Sequence, residues 1–142
     1  MKKIFPFIIL LLTLIACDRN GTFASLIEPD IVDYIETEYR GATIHSTEYD
    51  NYGLYEVEIR HNSIIKEVYF DSDNNWVYTT WDVRVADLPA AVKDAIAEKY
   101  PGFRIDDVDF VERVGKSYYK VELEKGELEQ TIYVSKNGEQ QE

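Results

Sequence analysis

The sequence predicts an α+β fold: tandem α-β-β-β(-β) repeats that share one antiparallel sheet, with two helices packed on one of its faces. Three observations lead there. First, Leu88 to Ile105 (LPAAVKDAIAEKYPGFRI) has a diverged copy in Ile27 to Ile44 (IEPDIVDYIETEYRGATI). Ile31 matches Val92, Ile35 matches Ile96, Tyr39 matches Tyr100, Gly41 matches Gly102 and Ile44 matches Ile105. Second, after each copy the apolar period changes from 3.6 to 2, which is a helix giving way to strands. Third, the strands repeat too. Tyr55-Glu56-Val57-Glu58-Ile59 matches Tyr119-Lys120-Val121-Glu122-Leu123, and Val68-Tyr69-Phe70-Asp71 matches Ile132-Tyr133-Val134-Ser135. A repeat of this size is one supersecondary unit copied in tandem. Either half alone is short of core, so the two are expected to fuse.

The first residues set the compartment. Lys2 and Lys3 precede an apolar run from Phe5 to Ile15, broken only by Pro6 and Thr13. That run is too short for a membrane span of roughly 20 residues and has the layout of a secretory signal. It ends in Leu14-Ile15-Ala16-Cys17, the pattern of a bacterial lipobox, which implies lipidation of Cys17 and cleavage before it. This accounts for the lone cysteine of the chain, which has no partner for an internal disulfide. Residues 1–16 are therefore expected to be a lipoprotein signal peptide and 17–25 a polar tether to the membrane. The expected location is the bacterial cell envelope, lipid-anchored, periplasmic or surface-facing, with the outer membrane favoured. Asp18, which directs retention in the inner membrane in some bacteria, keeps that alternative open.

Residues 26–84 form the first expected repeat. Pro29 to Tyr39 reads as a helix: Pro29 fits a first turn where its missing N–H costs nothing, and Glu28 and Asp30 suit the positive end. Ile31, Tyr34, Ile35 and Tyr39 make its apolar stripe, and Gly41 ends it as a left-handed cap. Strands follow at Thr43 to Tyr49, Tyr55 to Arg60, Ile64 to Phe70 and Trp76 to Val83, separated by turns at Asp50 to Gly53, His61 to Ser63 and Asp71 to Asn75. Residues 85–142 form the second repeat. Asp87 is expected to cap a helix that carries Leu88, Val92, Ala95, Ile96 and Tyr100 and stops at Pro101. Strands follow at Arg104 to Glu112, Tyr119 to Leu123 with its flanks, and Leu128 to Val134. No fourth strand is evident in this half.

Composition excludes some partners. Loss of the two signal lysines takes the formal net charge from −12 to −14. Such acidity repels nucleic-acid phosphates and anionic lipid heads. The 11 tyrosines suit strands, and they suit binding faces because each offers rigid area with a polar tip.

Most polar clusters of the sequence have plain structural roles. Asp71, Asp73 and Asn75, with Asp82 further on, are spaced like the opening of a calcium loop, but Trp76 stands where such loops need Gly. Turn chemistry is the better account, with calcium a weak alternative and no other metal expected. His45 and His61 have no Cys or third His to complete a zinc site. Ser46 and Ser63 sit in no nucleophile elbow, so no catalytic residues and no cofactor are assigned. The carboxylate pairs Asp106-Asp107 and Glu127/Glu129 read as solvated charges.

The aromatic set of Tyr49, Tyr52, Tyr55, Trp76, Tyr78, Trp81, Tyr118 and Tyr133 is the better candidate. Alternation must turn part of it away from the helices. Strand parity puts Trp76 and Tyr78 on one side and Trp81 on the other. The expected binding face is Tyr69, Trp76, Tyr78, Tyr118 and Tyr133, with the helices covering the opposite side.

Leu88-Pro89 with Val92 and Ile96, then Tyr100-Pro101, the Tyr119 to Leu123 strand and the Ile132 to Gly138 strand-turn resemble the PepSY-like family of secreted bacterial proteins, similar in fold to the β-lactamase-inhibitor protein. Tyr55 to Ile59 and Val68 to Trp76 carry the resemblance in the first repeat, where Ile27-Glu28-Pro29 replaces Leu-Pro. The resemblance implies a non-catalytic, envelope-located module that binds or inhibits a protein or peptide through an exposed sheet. The other reading kept open is a sensor or carrier that holds a small molecule or calcium between the repeats.

Overall fold

Pro29 opens α1 (Pro29–Glu38), and the residue after the helix, Tyr39, closes it with a backbone bond to Ile35. Gly41 then adopts φ +82°, the left-handed turn that a side chain resists. The computed structural model describes residues 26–141, and within them the second helix, α2 (Ala90–Lys99), ends the same way: Tyr100 bonds back to Ile96 and Gly102 sits at φ +83°. Its start differs from the expected one. Pro89 is the cap, and Asp87 lies in a short 3-10 turn (Val85–Asp87), where its carboxylate pairs with Arg84 at 2.7 Å. The helix begins at Ala90, too far along the chain for Asp87 to be its cap residue.

Seven strands follow the chain in simple order: β1 (Thr43–Tyr49), β2 (Tyr55–His61), β3 (Ile64–Phe70), β4 (Trp76–Asp82), β5 (Arg104–Arg113), β6 (Lys116–Lys125) and β7 (Leu128–Val134). They form one sheet in the order β1-β2-β3-β4-β5-β6-β7, every neighbouring pair antiparallel. The β4–β5 ladder joins the repeats, so the halves share one sheet. Both helices pack on the same face of it.

The duplication reaches fine detail. β1 bulges between Ile44 and Ser46, and β5 bulges between Ile105 and Asp107, the matching place. The turn after β3 and the turn after β7 use one hydrogen-bond scheme. Asp71 N bonds Asn75 O and Ser135 N bonds Glu139 O. Asn74 N bonds Asp71 O and Gly138 N bonds Ser135 O. After the second of these turns only a single bridge, Val134 to Gln140, stands where β4 stands in the first repeat.

The interior lies between sheet and helices as two clusters. α1 brings Ile31 and Ile35 down onto Val57, Ile59, Val68 and Phe70. α2 brings Leu88, Val92 and Ile96 onto Val108, Phe110, Tyr119, Val121, Leu123, Ile132 and Val134. Each fully buried aliphatic among them stabilises the fold by about 1.5–3 kcal/mol relative to exposure. The seam between clusters runs over β4. Thr79, fully buried there, bonds the Tyr39 hydroxyl at 2.7 Å and accepts the Trp76 Nε1–H at 2.9 Å. At the same seam the Lys66 ammonium lies 3.4 Å from the centre of the Trp81 ring.

Candidate binding face

Alternation on the strands turns Val57, Val68, Thr79, Phe110, Val121 and Ile132 toward the helices, so their neighbours face the other way. The ladder registers line these neighbours up in rows. One row runs Glu56, Tyr69, Tyr78, Arg113, Lys116 from β2 to β6. The next runs Glu58, Glu67, Thr80, Val111, Tyr118. A third runs Asp82, Asp109, Lys120, Tyr133 from β4 to β7. No helix among the described residues covers this face.

Tyrosines form its centre in two groups. Tyr69 and Tyr78 stack face to face with centroids 4.2 Å apart, and Tyr118 meets Tyr133 edge to face at 5.7 Å. The Arg113 guanidinium lies over the Tyr78 ring at 5.0 Å, and the Lys116 ammonium lies 5.6 Å from the Tyr118 ring. Tyr69 is only 8% exposed, while Tyr133 at the edge of the sheet is 41% exposed.

Trp76 requires a correction. It was expected on this face beside Tyr78, but it lies on the helix side, stacked on Tyr34 at 5.8 Å and bonded to Thr79. The cause is a register shift in the β3–β4 ladder. Tyr69 pairs with Tyr78, but Phe70 pairs with Trp76, so Val77 is an extra residue. A bulge of this kind reverses the side to which all residues beyond it point. Trp81 lies on the helix side as well, 4.9 Å from Phe110. Two tryptophans five residues apart, both large enough to demand burial, were the signal in the sequence for an inserted residue.

Charge is unevenly spread. Toward β1 and β2 the face carries Glu48, Glu56, Glu58 and Glu67, with Glu48 opposite Glu56 and Glu58 opposite Glu67. The Tyr69 hydroxyl donates to Glu67 Oε2 at 2.9 Å. Burial lifts the Glu56 carboxyl above its ordinary range, and Glu67, Glu48 and Glu58 add to the lift against a hydrogen bond from Tyr69. Burial also raises the Tyr69 phenol, reinforced by Glu56 and Glu67. Across the face Lys120 lies between Asp109 at 3.1 Å and Glu122 at 3.3 Å. Burial pulls this ammonium down, but the two carboxylates outweigh it and hold it above the usual lysine value. Asp82, opposite Asp109, is raised by burial and then by Asp109 and Asp107.

The remaining candidates have local partners. Asp71 accepts the N–H groups of Asp73 and Asn75 and the Asn75 side-chain amide, and these bonds hold its carboxyl below the usual range. Asp82 sits on the open face, in register with Asp109 rather than in that turn. His45 contacts Thr43 at 3.3 Å, whereas His61 stands edge-on to Tyr39 on the helix side. Asp106 pairs with Arg104 at 2.8 Å. Asp107, Glu127 and Glu129 are exposed. Among the described residues no three His, Cys, Asp or Glu side chains gather as a metal would need. Cys17 and the signal and tether residues lie outside the described residues. No helix among the described ones is long and apolar enough to cross a membrane.

Two helices on one side of a seven-stranded antiparallel meander, with tyrosines on the other side, place the chain in the α+β class. The chain belongs to the PepSY-like family, described as "Putative beta-lactamase-inhibitor-like, PepSY-like", whose model matches twice, over residues 15–66 and 53–141. Among solved structures it is similar to a BLIP-like protein from Bacteroides fragilis, with 28% identity and a TM-score of 0.71 over 81% of this chain and 83% of that one. A DUF2874 family protein from Bacteroides uniformis follows at 23% identity and TM-score 0.70, covering 80% of this chain and 86% of its own. A structure from Bacteroides eggerthii named "putative periplasmic proteins" shares the fold at 20% identity and TM-score 0.67, over 80% and 84% of the two chains. No curated protein matches.

Proposed function

We propose that this protein is a lipid-anchored, non-catalytic binding module of the cell envelope that grips a protein or peptide across its open sheet face, as an inhibitor would. The observation that carries this reading is the pair of tyrosine groups, Tyr69/Tyr78 and Tyr118/Tyr133, on a face with no covering element among the described residues. Rigid tyrosine rings with Arg113 over Tyr78 are the residue types that dominate protein interfaces. The carboxylates toward β2 favour a partner that brings cationic groups to that end. Membership of an inhibitor-like family supports the same reading. Lipidated Cys17 would hold the domain at the outer membrane, facing the periplasm or the cell surface.

The test pairs two variants. Tyr78→Ser with Tyr118→Ser is expected to abolish retention of an envelope protein that the unaltered chain retains from the cognate envelope extract, at an unchanged fold. Retention that survives the double substitution, or no specific retention at all, overturns the reading. Cys17→Ser is expected to release the protein from the membrane fraction and to stop incorporation of labelled fatty acid.

A further inference from the structure

We infer that the cleft on the helix side, between the end of α1 and the β5–β6 hairpin, is a binding site for a small organic cation carrying an alkylammonium or guanidinium group. The site is distinct from the open face, and the two can fail independently.

The cleft is open to solvent, measures about 530 Å³ and is lined by Tyr34, Glu38, Tyr39, Trp76 and Glu112, with Arg113, Gly115, Lys116 and Ser117 of the hairpin. That volume falls in the range of small-molecule sites. Its aromatic wall is built rather than accidental. The Trp76 indole stacks on Tyr34 with an interplanar angle of 20°, and its N–H is tied to Thr79, which is tied in turn to the Tyr39 hydroxyl. Ring faces held this way attract cations without further ordering.

The charge in the cleft matches. Glu38 and Glu112 have no ion-pair partner within 4.0 Å among the described residues, and both act on the Tyr34 and Tyr39 phenols, whose values are raised first by burial. The last turn of α1 carries no basic residue, so the negative end of the helix is also unbalanced. The nearby cations have aromatic partners, and Lys66 also lies 5.4 Å from the Tyr39 ring centre. Arg113 lies over Tyr78 and Lys116 lies near the Tyr118 ring, both on the open face, while Lys66 lies over Trp81 and shares the field of Glu112.

The second repeat supplies the comparison. At the end of α2, Ala95, Lys99 and Gln140 take the places of Tyr34, Glu38 and Trp76. Tyr100 donates to Gln140 Oε1 at 3.2 Å there, and the space beside them is about 10 Å³, without a hairpin for a far wall. Lys99 there supplies the helix end with a cation of its own. The end of α1 thus presents an open aromatic cleft with two carboxylates, where the end of α2 presents a lysine and no such wall. An incoming ammonium or guanidinium group fits between Glu38 and Glu112 against the Tyr34/Trp76 wall.

The test titrates the purified full-length chain with putrescine, with arginine amide and with the peptide Gly-Arg-Gly, read by tryptophan fluorescence and by NMR shifts, against neutral 1,4-butanediol. Saturable binding of the cations and none of the diol is expected. Glu38→Gln and Glu112→Gln should each weaken it by about fivefold, while Tyr78→Ser with Tyr118→Ser should leave it unchanged. Tighter binding of the peptide than of arginine amide identifies the cation as a side chain of a polypeptide; equal or weaker binding identifies a free small molecule. Absence of saturable cation binding, equal binding of the diol, or unchanged binding in the two glutamine variants overturns the inference. Melting curves of those variants, both isosteric and at solvent-accessible positions, check that the fold persists.

Discussion

The Tyr39 hydroxyl lies 2.7 Å from the Thr79 hydroxyl, tying the end of α1 to the strand through which the first repeat meets the second. Thr79 is 0% exposed and its oxygen also serves the Trp76 indole, so two partners depend on one hydroxyl. Thr79→Val keeps the shape and removes the hydroxyl. It should destabilise the protein by about 2 kcal/mol, because the Tyr39 hydroxyl and the Trp76 N–H then lose their partner. Tyr39→Phe removes one bond and should cost about 1 kcal/mol. Chemical denaturation of both single variants and the double variant checks this: the double should cost less than the sum, since the pair shares a bond.

Trp76 and Tyr78 separate core from surface on one strand. Trp76→Ser removes a stacked, hydrogen-bonded indole from the helix side and should cost about 3 kcal/mol. Tyr78→Ser removes a half-buried ring from the open face and should cost about 1 kcal/mol or less. Urea midpoints of the two variants, measured side by side, test the placement; equal losses would contradict it.

Those two residues also mark how far the sequence could be read. Helix ends at Tyr39-Arg40-Gly41 and Tyr100-Pro101-Gly102, the strand spans and the duplication were legible because each rests on a local rule: a left-handed glycine, a period of 2, a turn. The side chosen by Trp76 was not legible from alternation, because one inserted residue, Val77, reverses parity and leaves the composition unchanged. The Tyr39–Thr79 bond and the Lys66–Trp81 contact were missed for another reason. They join residues that are 40 and 15 positions apart across the face of the sheet, and no periodicity within one element records such a meeting. The aromatic cleft depends on the same meeting, since Trp76 lines it only after the bulge turns it inward.

Glu56 should make stability depend on pH. Burial and the neighbouring carboxylates raise its folded value above 4.5, so the proton binds the folded state more tightly than the unfolded one. That contribution is fully present below the ordinary carboxylate value and is lost as pH rises through the raised one. At pH 7 the charged Glu56 is therefore a liability, and Glu56→Gln should stabilise by about 0.5 kcal/mol, the size of a relieved cross-strand repulsion. The advantage should vanish as pH falls below 4.5. Thermal melts of both forms at pH 7 and pH 4 decide it; an advantage that persists at pH 4 would show that charge is not the cause.

Gly138 tests how the second repeat closes. Its φ is +84°, and a Cβ there would lie 2.5 Å from the Ala91 carbonyl oxygen and 3.1 Å from the Ala95 Cβ. The turn after β7 therefore presses its backbone against α2. The matching residue of the first repeat, Asn74, has φ +63° and carries a side chain without harm, so the turn itself does not forbid one. Gly53 has φ +84° with nothing within 4 Å of its would-be Cβ, and so isolates the backbone cost. Gly53→Ala should lose about 1 kcal/mol from the left-handed conformation alone. Gly138→Ala must add displacement of α2 to that strain and should lose about 3 kcal/mol. Guanidinium titrations of the two alanine variants give the difference directly. If the losses are equal, the turn does not bear on α2, and the contact between the β7 turn and the helix is not what closes this end of the second core.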